Sequence, residues 1–271
     1  MACCIIPPGQ EVHTTTPAGR TIVIPPDVET YVTFPPAIPE SSASDTQKPR
    51  YARSLLLLSD AHGIHLPSTQ HIADRFAHTL HCPVIVPDQF HGSPHPLIKP
   101  PDFDNDLAMR ELPVKHNPDS VDPILTHVLE WMQRSPEHEK GGLGGVSNIG
   151  GIGYCFGARF IIRLLSQHQI SAAVINHPSF HTSEELNALN GSSGPLAFYA
   201  AETDEIFTEE KRREMENVLK GNGVRWMETV FGGVEHGFSI RGDDNVPEVR
   251  FAKNQAFTGA VVWFEEFLPS E

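Results

Sequence analysis

A cysteine in a strand-turn-helix segment is the residue in this chain best placed for chemistry. Residues 147–162 read as a short buried strand, a sharp turn and a helix, with Cys155 at the turn. Gly153 and Gly157 lie two residues on either side of it, where a larger side chain would collide as the chain reverses direction. The following helix N-terminus favours a thiolate and can stabilise an oxyanion. The pattern therefore predicts a nucleophilic Cys155 rather than an inert core cysteine.

An acid and a base follow later strands of the chain. Asp204 comes after the apolar run 196–201, and His236 comes after the run 226–231. Because reactive groups of open parallel sheets gather outside the carboxyl ends of the strands, we expect both to lie near Cys155. The order nucleophile, acid, base is that of the α/β-hydrolases and differs from the orders in chymotrypsin and subtilisin.

Strands and helices alternate from residue 54 onward, which predicts one mostly parallel sheet with helices on both faces. This is the fold class of the α/β-hydrolases, assigned to residues 51-271. Residues 1-50 are predicted to form an N-terminal arm with one edge strand at 28–34, packed on the main domain. Residues 94–118 are rich in proline and charge, and we expect them to form a loop over the strand ends.

The composition and net charge of the chain limit its possible binding partners and its cellular location. The chain has 271 residues and a net charge of −14, which argues against binding to nucleic acid or to an anionic membrane surface. The first residues lack the pattern of a signal peptide, and no apolar run is long enough to span a membrane. The four cysteines are too few for a disulfide framework. We therefore expect a cytoplasmic protein with reduced thiols, and a homodimer remains possible.

Three motifs give the chain a resemblance to the dienelactone hydrolase family, and in particular to its fungal branch. They are residues 153–158, 202–207 and 236–242. The resemblance implies a cofactor-independent hydrolase of small lactones or activated esters that works through a thioester acyl-enzyme. It also implies that Cys155 is the nucleophile, that His236 is its base, and that Asp204 orients the imidazole.

The fold and the resemblance also suggest residues around the triad. The backbone amides of Phe156 and Ala61 are predicted to form the oxyanion hole of this fold. Asp60 stands where the family has a glutamate that restrains the resting thiol, although aspartate is one methylene shorter. Arg241 matches an arginine that helps to hold a substrate carboxylate, and a surface ion pair is the alternative.

Other candidates for substrate contacts follow from their positions near predicted strand ends. His62, His177 and Tyr154 are expected to line the substrate pocket. Arg110 and Lys115 are both candidates for a second substrate cation. The many histidines between residues 62 and 95 show no spacing typical of a metal site, so no metal is predicted.

Two other functions are compatible with a Gly-x-Cys-x-Gly turn. Cysteine glutamine amidotransferases share the turn but pair the cysteine with a late His-x-Glu, whereas here Gly237 and Phe238 follow His236. A hydrolase-like scaffold could instead serve as a binding or redox-sensing module, in which peroxide would oxidise Cys155 without turnover. Cys3 and Cys4, adjacent at the chain end, are expected to have no function.

Overall fold

A single eight-stranded sheet forms the centre of the computed structural model, which describes residues 16–36, 51–134 and 141–268. The strands are β1 (Arg20–Ile24), β2 (Val28–Thr33), β3 (Arg53–Leu58), β4 (Val84–Pro87), β5 (Asn148–Tyr154), β6 (Ala172–Asn176), β7 (Leu196–Thr203) and β8 (Trp226–Glu235). They lie in the order β1-β2-β4-β3-β5-β6-β7-β8. Strands β3 to β8 pair in parallel, whereas β2 pairs antiparallel with both β1 and β4.

Helices cover both faces of this sheet. They are α1 (Pro67–Leu80), α2 (Asn105–Lys115), α3 (Pro118–Gln133), α4 (Phe156–Ser166), α5 (Ser183–Asn187), α6 (Glu209–Gly221), α7 (Phe238–Arg241) and α8 (Pro247–Phe267). Within the described ranges, no helix has the length and apolar composition needed to cross a membrane. The predicted α/β-hydrolase fold class is confirmed.

Alternation of side chains along the strands produces two cores. In β3, Leu56 and Leu58 belong to one cluster, and Leu55 and Leu57 belong to the other, because successive strand residues point to opposite faces. The first core packs against α2 to α6, and the second packs against α1, α7 and α8. All four leucines are fully buried, as expected for a central parallel strand covered on both faces.

The N-terminal region differs from the prediction of a single edge strand. Strand β2 is an inner strand, and the edge is formed by β1, which the sequence analysis assigned to a loop. Strand β1 is only five residues long and mostly exposed, so it lacks the alternating apolar pattern that identifies a strand. Both strands belong to the sheet of the hydrolase domain, so a boundary at residue 50 divides strands of one sheet. Cys3 and Cys4 lie outside the described residues.

A second correction concerns residues 94–118, which contain α2 rather than loop alone. The Asp104 side chain caps this helix by accepting a hydrogen bond from the amide of Leu107. Only Met109 and Leu112 of the helix are buried, and Pro113 lies inside it. The apolar stripe is therefore too sparse to be recognised from periodicity.

Steric contact explains the two glycines of the turn between β5 and α4. A Cβ atom on Gly153 would lie 2.7 Å from the backbone of Ala158, and one on Gly157 would lie 2.4 Å from the carbonyl oxygen of Leu58. Both distances are far below van der Waals contact, and the obstructing atoms are backbone. Strand β5 can therefore turn into α4 this close to β3 only if both positions are glycine.

Gly157→Ala is expected to destabilise the protein by roughly 1–3 kcal/mol or more, because backbone must move to admit the methyl group. Gly221, at the end of α6, is the matched control, since a Cβ atom there would meet nothing within 4 Å. Gly221→Ala should be neutral or stabilise the fold by up to about 1 kcal/mol. Urea unfolding of both variants measures the difference, and equal midpoints would contradict this steric account.

Candidate active site

Cys155 has a backbone conformation that few residues other than glycine adopt. Its φ is 50° and its ψ is −108°, directly before the first residue of α4. The residue is held there by backbone hydrogen bonds on both sides. Its amide donates to Asn176 (3.0 Å), and its carbonyl accepts from Ala158 (3.2 Å) and Ser179 (3.1 Å). Backbone strain of this kind persists where surrounding structure imposes it, which is common at functional sites.

Asp204 and His236 meet at the ends of β7 and β8. The Nδ1 atom of His236 donates to Oδ2 of Asp204 at 2.7 Å. The other carboxylate oxygen, Oδ1, accepts the amides of Ile206 and Phe207, both at 2.8 Å. Burial alone raises the pKa of Asp204, but these hydrogen bonds, led by that from His236, hold the pKa below its usual value. The carboxylate is therefore fixed and ionised next to the imidazole.

Cys155 and His236 interact through charge in this conformation. Burial lowers the pKa of His236, but the negative charge of a Cys155 thiolate and the contact with Asp204 raise it to about 10. No described atom lies in hydrogen-bonding geometry to the buried Nε2 atom of His236. The Sγ atom of Cys155 instead lies 3.4 Å from Oγ of Ser179. The cysteine is fully buried, so the thiol is enclosed.

The amides predicted to form the oxyanion hole belong to the turn after β3 and to the start of α4. Gly157 donates its amide to Ser59, which ties the start of α4 to the turn after β3. Ala61 lies in that turn and belongs to the same core cluster as Cys155 and Phe156. Among the described residues, the amides of Ala61 and Phe156 donate no hydrogen bond to the protein.

Asp60 and Arg241 form a buried ion pair beside this turn. The Nε atom of Arg241 donates to Oδ2 of Asp60 at 2.6 Å, and the amide of His62 donates to Oδ1 at 3.0 Å. The side chain of Arg241 is 5% exposed and that of Asp60 is 0% exposed, so the alternative of a surface ion pair is wrong. The bonds of Asp60 go to Arg241 and His62, whereas Cys155 contacts Ser179. In this conformation Asp60 does not restrain the thiol directly.

The three predicted pocket residues Tyr154, His177 and His62 are all buried. Tyr154 is the last residue of β5 and points into the core formed with α1 and α8, on the face opposite α4. The prediction that it contacts substrate is corrected, because alternation along β5 directs it away from Cys155.

His177 packs its ring edge against His236, with centroids 4.9 Å apart, and its Nε2 atom lies 2.8 Å from Oγ of Ser239.

Burial keeps these histidines neutral. Desolvation and the charges of His236 and Arg241 hold the pKa of His177 well below its usual value. Desolvation also lowers the pKa of His62, whose Nδ1 atom lies 3.1 Å from the carbonyl of His95. The pKa of His95 falls to about 4 for the same reason, with the charges of His62 and Lys99 contributing. Neutral imidazoles and fixed cations therefore surround the end of β3.

A cavity of about 420 Å³ opens beside His236. Its lining includes Arg241 and the apolar side chains of Phe238, Val246 and Val249, but not Cys155, His62 or His177.

The two candidates for a second substrate cation, Arg110 and Lys115, are exposed on α2. The cation whose charge reaches His62 and His95 is Lys99, in the loop before α2. Sequence patterns do not identify Lys99, because no strand or motif fixes its position.

Within residues 16–36, 51–134 and 141–268, no group of three or more His, Cys, Asp or Glu side chains could hold a metal ion. The clustered histidines instead pack against each other and against aromatic rings, as His62 does on His95 and His95 does on Phe103.

Comparison with known proteins identifies relatives of this arrangement. The model of the dienelactone hydrolase family matches residues 42–268. Hydrolase pyvD of Aspergillus violaceofuscus is 34% identical over 266 residues, which cover 98% of this chain and 96% of that protein. Hydrolase tropI of Talaromyces stipitatus is 35% identical over 260 residues, which cover 94% of this chain and 93% of that protein.

Solved structures share the fold at low sequence identity. A putative dienelactone hydrolase from Klebsiella pneumoniae superposes with a TM-score of 0.70 at 16% identity, covering 92% of this chain and 98% of that one. A butyrate-bound esterase from Thermogutta terrifontis superposes with a TM-score of 0.67 at 13% identity, covering 94% and 97%.

The buried neutral histidines predict a loss of stability in mild acid. The pKa of His177 is lowered in the folded protein, so the unfolded state takes up a proton on this residue first as the pH falls. The free energy of unfolding is therefore unaffected by His177 above about pH 6.5 and decreases below it. The loss is about 1.4 kcal/mol per pH unit for one such group. His177→Gln should flatten the decline in unfolding free energy measured with urea between about pH 7.5 and 5. Exposed His78→Gln is the control, and an unchanged slope in His177→Gln would contradict the prediction.

Proposed function

Because the chain belongs to the dienelactone hydrolase family, a family of ester and lactone hydrolases, we propose that it hydrolyses small lactones or activated esters through Cys155, His236 and Asp204. The observation that carries this proposal is the convergence of three strand ends. Cys155 lies on a strained turn after β5, and the buried Asp204–His236 pair lies at the ends of β7 and β8. The charges of Cys155 and Asp204 raise the pKa of His236, which favours a protonated imidazole when the thiol is ionised.

The proposed reaction proceeds in two halves. The Cys155 thiolate attacks the substrate carbonyl, and the amides of Phe156 and Ala61 donate to the oxyanion that forms. Collapse of this intermediate breaks the carbon-oxygen bond, and the imidazolium of His236 gives its proton to the departing oxygen. His236 then removes a proton from water, whose oxygen attacks the thioester. Collapse of the second intermediate releases the acid and regenerates the thiolate.

The nucleophile limits the class of substrate. A thiolate is itself a good leaving group, so the first intermediate goes forward only if the departing oxygen leaves comparably well. An enol lactone or an aryl ester meets this condition, whereas an amide does not. The same chemistry needs a reduced thiol, which supports a cytoplasmic location.

Arg241 is proposed to attract an anionic group on the substrate. It lines the cavity beside His236 while its Nε atom is bonded to Asp60. Charge-assisted hydrogen bonds of a guanidinium contribute more than neutral ones, particularly at a largely buried site. Lys99 adds a second positive charge, which acts on His62 and His95. The two cations offset the long-range repulsion expected from a net charge of −14.

The triad is tested with an aryl ester as substrate. Cys155→Ala should abolish turnover, and His236→Ala should do nearly the same, because residues that act as a unit show losses that do not add. Asp204→Asn should be severe but less complete. Cys82→Ala is the matched control, since Cys82 is also a buried free cysteine but lies before β4. A Cys155→Ala enzyme with a tenth or more of the wild-type kcat, roughly 1.4 kcal/mol in barrier, would refute the assignment.

Arg241 is tested with a carboxylate-bearing lactone and a neutral aryl ester. Replacing Arg241 alone would leave Asp60 buried without its charge partner and cost about 3–5 kcal/mol of stability. The double variant Asp60→Asn/Arg241→Gln removes both charges together. It should raise KM for the anionic lactone by about tenfold, or about 1.4 kcal/mol, and leave KM for the neutral ester almost unchanged.

Arg213→Gln provides the control for this experiment, because Arg213 is an exposed arginine paired with Glu209 on α6. Its KM values should match those of the wild type for both substrates. Equal rises in KM for the two substrates of the double variant would mean that the Asp60–Arg241 pair supports the fold rather than binding a substrate anion.

A further inference from the structure

The segment that follows β6 is bound directly to the nucleophile turn. Asn176 accepts the amide hydrogen of Cys155, and Ser179 donates its own amide to the carbonyl of Cys155. Two residues of this segment, His177 and Phe180, have positive φ values of 36° and 61°. Such conformations are unfavourable for side-chain-bearing residues, so the surrounding structure must hold the segment in this path. The backbone of Ser179 is therefore fixed relative to Cys155.

The side chain of Ser179 faces the sulfur. Its Oγ atom lies 3.4 Å from Sγ of Cys155, within hydrogen-bond range for sulfur. Ser179 is 1% exposed, so solvent does not satisfy its hydroxyl. Among the described residues, the hydroxyl has no other hydrogen-bond partner. Either atom can donate in this contact while Cys155 is a thiol, but once the thiol has lost its proton only the hydroxyl of Ser179 can donate.

We propose that Ser179 is a positioning residue for the reaction, whose hydroxyl donates a hydrogen bond to the Cys155 thiolate. The inference rests on the proposed function, in which Cys155 is the nucleophile. A serine hydroxyl is a far weaker acid than a thiol, so the proton stays on oxygen and the negative charge stays on sulfur. The hydrogen bond favours the thiolate over the thiol, because hydrogen bonds to a charged form stabilise that form.

The same contact fixes the direction from which the sulfur attacks. His236 and Asp204 supply a charge and a base, and His236 interacts with Cys155. Ser179 contacts Sγ from the segment after β6, and this contact contributes to the orientation of the sulfur. When sulfur bonds to the substrate carbonyl, negative charge passes from sulfur to the carbonyl oxygen. The bond from Ser179 then weakens and that from the oxyanion-hole amides strengthens.

Iodoacetamide alkylation measures the thiolate without requiring turnover. The rate of alkylation at Cys155, followed by peptide mass spectrometry, gives the pH at which half of the thiol is ionised and separates Cys155 from Cys3, Cys4 and Cys82. Ser179→Ala should move this midpoint upward by about 0.5–1 pH unit, because it removes the donor and retains the backbone contacts. Its kcat/KM near pH 7 should fall by about three- to tenfold and recover toward the wild-type value at higher pH.

Two variants separate this role from a structural one. Ser179→Thr retains the hydroxyl and should restore the wild-type midpoint. Ser193→Ala removes another serine that is 1% exposed, in the turn before β7, where its Oγ atom accepts the amide of Asn190. That variant should leave the midpoint unchanged. Thermal unfolding of every variant establishes that the fold is retained.

The outcomes test separately whether Ser179 positions the thiolate and whether Cys155 is the nucleophile. A folded Ser179→Ala protein with an unchanged midpoint would overturn the role of Ser179, even if Cys155→Ala abolished turnover. If Cys155→Ala retained turnover, the nucleophile assignment would fail, whereas a shifted midpoint in Ser179→Ala would still establish the hydrogen bond to sulfur. An upward shift in Ser179→Ala that Ser179→Thr reverses is the result expected from the geometry.

Discussion

The close approach of the turn after β5 to the end of β3 is the constraint on which the site depends. Because Gly157 has no side chain, its amide can bond to Ser59 while its Cα lies against the backbone of Leu58. This approach accompanies the strained backbone conformation of Cys155, whose φ is 50°. It also places Ala61 and Phe156, which follow different strands, in the same core cluster as Cys155. The tight turn that carries Cys155 thus depends on this steric contact.

Hydrogen bonds at neighbouring strand ends complete the site. The segment after β6 binds Cys155 through its backbone, and the acid and the imidazole follow β7 and β8. The ion pair between Asp60 and Arg241 joins the end of β3 to the short helix after His236, across 181 residues of chain. Each of these bonds links a different strand to the same edge of the sheet. A parallel sheet provides this geometry because all its carboxyl ends lie on one side.

Burial decides which groups carry charge. Desolvation lowers the pKa values of His62, His95 and His177, whereas the charges of Cys155 and Asp204 raise the pKa of His236. Of these four imidazoles, the charged one is therefore His236, next to the carboxylate of Asp204. The enclosed sulfur makes each such interaction stronger than it would be in water, because solvent does not screen it.

The sequence by itself determined the fold class, the turn and the order of Cys155, Asp204 and His236, because glycine spacing and apolar strands are local signals. It missed β1 and α2, whose few buried residues leave no clear periodicity. Only the tertiary structure decided that Arg241 is buried against Asp60, that Tyr154 belongs to the opposite core, and that Ser179 contacts the sulfur. Each of those depends on which strand lies beside which and on the face to which a side chain points. Neither is encoded in the local spacing of residues, since the partners are distant in the chain and meet only when the sheet is assembled.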